Sequence, residues 1–222
     1  MTHLLDTYDI WLFDCDSTLS TIEGIDELSG DLVKKSEVSQ LTSQAMNGLI
    51  AFEHVVGRRL DVIRPSLNDL TRVGHHYIKT VVPGAREVIA ALQMRGKEVH
   101  IVSGGYVQAI LPFANYLGVP ISRIHAIELT FDERGVYTGY DTSNNLAKNG
   151  GKKAVVEQLR KDGRENIVFV GDSVADLETK PIVDLFIGFG GVVKRPVVEK
   201  ESNIYLTSNF FSLLGMEVAY VK

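Results

Sequence analysis

The sequence predicts an α/β fold: a parallel, Rossmann-like sheet covered by helices on both faces, with a helical cap inserted into it. Three observations carry this expectation. Short apolar runs recur along the chain, and each ends in a polar or glycine-rich turn. Helical patterns separate the runs, and alternation of strand and helix is how parallel crossover units read. Between residues 20 and 80 the texture turns polar and helical with no comparable strand, which marks the insertion.

Residues 8–13 (YDIWLF) form the first strand, which stops at an acidic turn. After the cap, a helix over 85–95 is opened by Pro83-Gly84 and closed by Gly96. A second strand, 99–102, runs into Ser103-Gly104-Gly105 and a helix over 106–117. Residues 127–140 read as a hairpin around Asp132-Glu133-Arg134-Gly135. A helix over 152–162 precedes the strand 167–170, which meets Gly171-Asp172-Ser173 and a helix over 174–180 stopped by Pro181. The last run, 185–187, enters Gly188-Phe189-Gly190-Gly191, with a weaker helix after Lys194. The expected organisation is an α/β core from 1–19 and 81–222 and a cap from 20–80.

Composition narrows the function. A chain of 222 residues with 45% hydrophobic and 23% charged residues can bury one sizeable core. Its net charge of -5 offers no global positive field to nucleic acid or anionic lipid, so any anion must be held locally. A single cysteine, Cys15, permits neither an internal disulfide nor a cysteine-based metal site, and the N-terminus lacks the basic segment of a secretory signal. The cytoplasm is the expected compartment, with no membrane partner. Residues 101–122 carry no charge, yet their glycines and prolines fit strand, loop and helix better than a membrane span.

In such sheets ligands bind at the carboxyl ends of the strands, and every polar cluster falls there. Asp14 and Asp16 can divide the work of phosphoryl transfer: one attacks phosphorus, the other protonates the leaving oxygen and then activates water. Ser103 offers a hydroxyl, and Gly104 and Gly105 let backbone N–H groups approach an anion. Lys152 opens a helix where its charge can meet phosphate. Asp172 and Asp176 can complete a hard-oxygen Mg2+ site with Asp14. Each cluster alone has a plain structural reading, as a capped turn or a solvated lysine. Together they supply nucleophile, donors, cation and metal ligands.

The order Asp14-x-Asp16-Ser17-Thr18, Ser103-Gly104-Gly105, Gly150-Gly151-Lys152 and Gly171-Asp172-x-x-x-Asp176 resembles the haloacid-dehalogenase superfamily of phosphatases, most closely its phosphoserine phosphatase family. Residues 23–28 (EGIDEL), Ala45-Met46 with Phe52, Arg59-Leu60, and 186–191 extend the likeness over nearly the whole chain. The resemblance implies that Asp14 is the nucleophile and Asp16 the acid/base, and that Ser103, Gly104 and Lys152 hold phosphate. It further implies that Asp14, the Asp16 carbonyl and Asp172 bind Mg2+, with Asp176 supporting the metal's water shell. In the cap it implies Glu23 for the substrate ammonium, Arg59 for its carboxylate, and Met46 and Phe52 for the pocket wall. The expected partner is therefore a small phosphorylated amino acid. Phosphothreonine, phosphohomoserine, another small phosphomonoester or phosphate transfer to an alcohol are alternatives. Ser173 stands where the family often has Gly, and Ala175 where it often has Asn or Thr.

Two rivals are disfavoured by the same residues. Gly171-Asp172-Ser173 half-matches the nucleophile elbow of a serine esterase, but that fold needs a histidine after the serine and the last one is His125. An aspartyl-phosphate switch would not need Asp16 or a cap. No zinc spacing joins the histidines, with His75-His76 reading as a surface pair, and Lys153 replaces the Ser/Thr of a P-loop.

Overall fold

The apolar runs assemble into a six-stranded sheet in which every pairing is parallel. The structure, a computed structural model, describes residues 2–30, 32–46 and 52–218. In chain order the first elements are β1 (Thr2–His3), α1 (Leu4–Thr7) and β2 (Ile10–Phe13). Four helices follow: α2 (Gly24–Ser29), α3 (Leu32–Met46), α4 (Phe52–Ile63) and α5 (Leu67–Lys79). Next come α6 (Ala85–Met94), β3 (Glu98–Tyr106), α7 (Val107–Leu117), β4 (Ile124–Ile127) and the antiparallel pair β5 (Leu129–Phe131) and β6 (Tyr137–Tyr140). The chain finishes through α8 (Gly151–Lys161), β7 (Ile167–Gly171), α9 (Val174–Leu177), β8 (Leu185–Phe189), α10 (Pro196–Glu201), β9 (Ile204–Leu206) and β10 (Glu217–Val218).

The sheet order is β4-β3-β2-β7-β8-β9, with β1 and β10 pairing separately. Strands β2, β7 and β8 are buried at every residue, as a sheet covered on both faces requires. The order reverses at β2, the switch point where such sheets open a crevice beyond the strand ends. Phe13 pairs with Val170, and the Asp14 N–H donates to the Val170 carbonyl at 2.9 Å, so the ends of β2 and β7 lie side by side.

Two boundaries differ from the sequence expectation by more than two residues. Strand β3 continues through Ser103-Gly104-Gly105 to Tyr106, because Tyr106 pairs with Ile127 of β4 after a register shift that begins at Val102. Helix α9 ends at Leu177, short of Lys180. The Thr179 N–H and hydroxyl both turn back to the Asp176 carbonyl, and Pro181 then sits inside a 3-10 turn, Lys180–Ile182.

The helical insertion leaves and rejoins the core through adjoining backbone. Thr21 N–H donates to the Thr80 carbonyl and Val82 N–H to the Leu19 carbonyl, both at 2.9 Å. Helix α5 starts from a capping box between Ser66 and Asp69 and turns Leu70, Val73, Gly74 and Tyr77 inward, the apolar spacing of a packed helix. Tyr77 stacks on Phe113 of α7, with ring centroids 5.6 Å apart. Among the described residues no helix is long and apolar enough to cross a membrane.

Candidate active site

Asp14 leaves the end of β2 almost fully buried, and Lys152, at the start of α8, reaches it. The Lys152 Nζ lies 2.6 Å from Asp14 Oδ1 and 2.6 Å from Asp176 Oδ1. Asp172 stands at the end of β7, where the Thr18 hydroxyl donates to its Oδ1 at 3.2 Å. Asp176 is fixed by Ser173, whose N–H and hydroxyl donate to Oδ2 at 2.9 and 2.6 Å and whose oxygen caps α9. Ser173 thus holds the neighbouring acid in place. The chain must turn sharply after β2, and Ser17 takes up a left-handed φ of 54° there, from which its hydroxyl donates to Glu23 Oε1 at 2.6 Å.

Asp16 points elsewhere. Its Oδ1 accepts from the Gly24 N–H at 2.7 Å and the Tyr77 hydroxyl at 2.6 Å, and its Oδ2 is 3.4 Å from Ser103 Oγ. The Asp16 side chain is therefore outside the metal-like cluster, which leaves only its main-chain carbonyl for that role. Gly104 is exposed, and a Cβ there would meet nothing within 4 Å. The tight position is Gly105, where a Cβ would come within 3.1 Å of Ser103 Oγ and 3.3 Å of Asp16 Oδ2.

The electrostatics describe a centre short of positive charge. Burial, then Asp176, push the Asp14 carboxyl well above the usual carboxylate range. Burial and Asp176 lift Asp172 to about 6. Burial opposes charge on Lys152, but Asp14 and Asp176 outweigh it and raise its pKa. One oxygen from each of Asp14, Asp172 and Asp176 falls within 4.8 Å of the others. Asp172 Oδ2 makes no hydrogen bond, although Arg195 Nη1 is 3.0 Å away. Three buried carboxylates whose oxygens converge suit a hard divalent cation such as Mg2+.

In the insertion, burial and then Asp16 raise Glu23 to about 7, while burial lowers Arg59 and the charges of Tyr106, Asp26 and Glu23 act to restore it. Met46 closes α3 and Phe52 opens α4, and both side chains lie outside the described residues. Two residues at the site, Tyr77 and Arg195, were absent from the sequence expectation, and Thr18 stood there only as part of the Asp14-x-Asp16-Ser17-Thr18 motif, with no role of its own. Tyr77 carried a signal, because a tyrosine on an apolar helix face needs a partner for its hydroxyl. Arg195 follows the glycine turn after β8, a placement that a search of strand ends for cations would have found.

A model of the family described as haloacid dehalogenase-like hydrolase matches residues 11–179. The chain belongs to this family. The segment matched in this haloacid dehalogenase-like hydrolase holds Asp14, Asp16, Ser103, Lys152, Asp172 and Asp176 and stops before Arg195. A phosphoserine phosphatase of Bos taurus is 36% identical over 216 residues, covering 97% of this chain and 96% of the relative. The crystal structure of a phosphoserine phosphohydrolase-like protein from Francisella tularensis superposes with a TM-score of 0.78 at 26% identity, over 93% of this chain and 98% of the other. A solved phospho-aspartyl intermediate analogue of phosphoserine phosphatase matches with a TM-score of 0.72 at 26% identity, over 91% and 95% of the two chains.

Proposed function

We infer that this chain is a Mg2+-dependent phosphomonoester hydrolase that converts O-phosphoserine to serine and phosphate through phosphorylated Asp14. The observation that carries the reading is the meeting of Asp14, Lys152, Asp172 and Asp176 at adjoining strand and helix ends, with Asp16 beside them. The likeness to proteins named phosphoserine phosphatase, one solved as a phospho-aspartyl analogue, supports it. An Asp14 oxygen attacks phosphorus as the phosphorus–oxygen bond to serine breaks, and Asp16 gives its proton to the departing oxygen. Burial raises Asp16, against the hydrogen bonds from Tyr77 and Gly24, which favours a carboxyl able to carry that proton. Water then attacks phosphorus, Asp16 takes its proton, and the bond from phosphorus to Asp14 breaks. Ser103, the Gly104 backbone and Lys152 hold the phosphoryl oxygens. Asp14, the Asp16 carbonyl and Asp172 would bind Mg2+, with Asp176 supporting its water shell. When bound, Mg2+ supplies charge that offsets the phosphoryl oxygens.

Residues 20–80 act as the cap. Glu23, desolvated and lifted to about 7, is matched to an ammonium, and Arg59 to a carboxylate that its forked guanidinium can bind bidentately. The test is a substrate panel with Mg2+: phosphoserine, phosphothreonine, phosphohomoserine and an aryl phosphate, on the wild type and Arg59→Ala. Stranding a charge costs about 2–5 kcal/mol where the bound pair is buried. At tenfold per ~1.4 kcal/mol, Arg59→Ala should lower kcat/KM for phosphoserine by roughly thirty- to several-thousand-fold and leave the aryl phosphate nearly unchanged. Equal losses on both would assign Arg59 to the fold and remove the argument for an amino acid substrate.

A further inference from the structure

The two oxygens of Asp16 are treated unequally. Oδ1 is saturated by the Gly24 N–H at 2.7 Å and the Tyr77 hydroxyl at 2.6 Å, whereas among the described residues Oδ2 has only Ser103 Oγ at 3.4 Å. Gly24 is a glycine where a Cβ would overlap the Tyr77 hydroxyl, so two donors converge on one oxygen. Tyr77 is itself immobilised. It is 1% exposed, its ring stacks on Phe113, and α5 approaches α7 closely at Gly74, one turn earlier.

A carboxylate torsion is broad and roughly two-fold, so an unsupported Asp side chain would sample orientations that place neither oxygen near the substrate. Proton transfer requires the acid within hydrogen-bond reach of the leaving oxygen. Resting on the phosphatase reading above, we propose that Tyr77 is a positioning residue for the reaction. Its hydroxyl, held by the α5–α7 contact, pins Asp16 Oδ1 and leaves Oδ2 as the oxygen that exchanges the proton with the leaving group and then with water. Helix α5 therefore bears directly on the chemistry as well as on the insertion's packing.

The test is Tyr77→Phe, which keeps the ring on Phe113. A hydrogen bond to a charged acceptor is strong enough that its loss should lower kcat for phosphoserine about ten- to a hundredfold, with KM moved less than about threefold. An aryl phosphate leaves without a proton, and its kcat/KM reads only the steps up to phosphoenzyme, so that value should fall less than about threefold. In an Asp16→Asn background, Tyr77→Phe should add less than about twofold, because both changes remove the same act. An unchanged kcat, equal losses on the two substrates, or additive losses in the double variant would overturn the proposal. Should Tyr77→Phe fail to fold, Gly24→Ala displaces the same hydroxyl from the other side and must give the same selective loss. A wild-type protein that releases phosphate from no phosphomonoester overturns the phosphatase reading and this inference with it. An active wild type with an indifferent Tyr77→Phe overturns the inference alone.

Discussion

On the function proposed above, Asp14 would have two tasks, attack on phosphorus and a share in holding a cation, and both need a carboxylate. Asp14→Asn removes the nucleophile and weakens the ligand set at once, so kcat should fall below about one hundredth of wild type in a phosphate-release assay. A variant retaining more would move the nucleophile elsewhere. Asp14, Asp16, Ser103, Lys152, Asp172 and Asp176 were legible in the sequence because strand ends and helix starts are marked locally by apolar runs and glycines. Tyr77 and Arg195 were harder to read, because Tyr77 lies 61 positions from Asp16 in the chain and Arg195 meets Asp172 only after α9 and β8 have intervened. The identity of each was visible in the sequence, but only the fold brought it to its carboxylate.

At the scale of elements, the contact between α5 and α7 decides whether the insertion is loosely hung or fixed. A Cβ on Gly74 would lie 2.7 Å from the Ala109 carbonyl oxygen and 2.8 Å from Pro112 Cγ. Alanine at a mid-helix glycine normally adds up to about 1 kcal/mol of helix stability. Here a backbone oxygen cannot step aside, and overpacking of this kind costs about 1–3 kcal/mol. With about 1–2 kcal/mol left after the helix gain, Gly74→Ala should therefore lower the thermal midpoint by about 2–8 °C for a chain of this size in a calorimetric scan. A raised midpoint would mean that α5 separates from α7 at no cost. The inserted helices were foreseen from polar, helical sequence over 20–80, but nothing in the periodicity of α5 named α7 as its neighbour. That pairing depends on the order of the strands, which local sequence does not encode.

Across the whole molecule the charge is net negative, -5, and buried charge is concentrated where the site needs it. One titrating pair lies apart from the acidic cluster. His100 of β3 and His125 of β4 stack with centroids 5.3 Å apart, joined by a 3.0 Å contact between His100 Nδ1 and His125 Nε2. Glu98 reaches His100 Nε2 at 3.3 Å, and Arg164 lies 3.5 Å from Glu98. The sequence showed neither ring's neighbour, because Val102 pairs with His125 only through the parallel register of these strands. Burial lowers His100, with Glu98 opposing and Arg123 and Arg164 adding to the shift, and burial and His100 lower His125 to about 4. In the unfolded chain both rings protonate near 6.5. Between about 6.5 and 4 the unfolded state therefore binds more protons than the folded state, and stability falls as pH falls through that window. The raised carboxylates Asp14 and Asp172 act with the opposite sign in an overlapping range, so the histidine contribution has to be read as a difference. His125→Asn removes the ring and keeps the carboxylates. Denaturant unfolding at pH 7 and pH 5 should show the wild type losing on the order of 2 kcal/mol more than the variant, at about 1.4 kcal/mol per pKa unit. Parallel losses would mean that His125 titrates as freely in the fold as outside it, and the stacked pair would then have no part in the acid limb of stability.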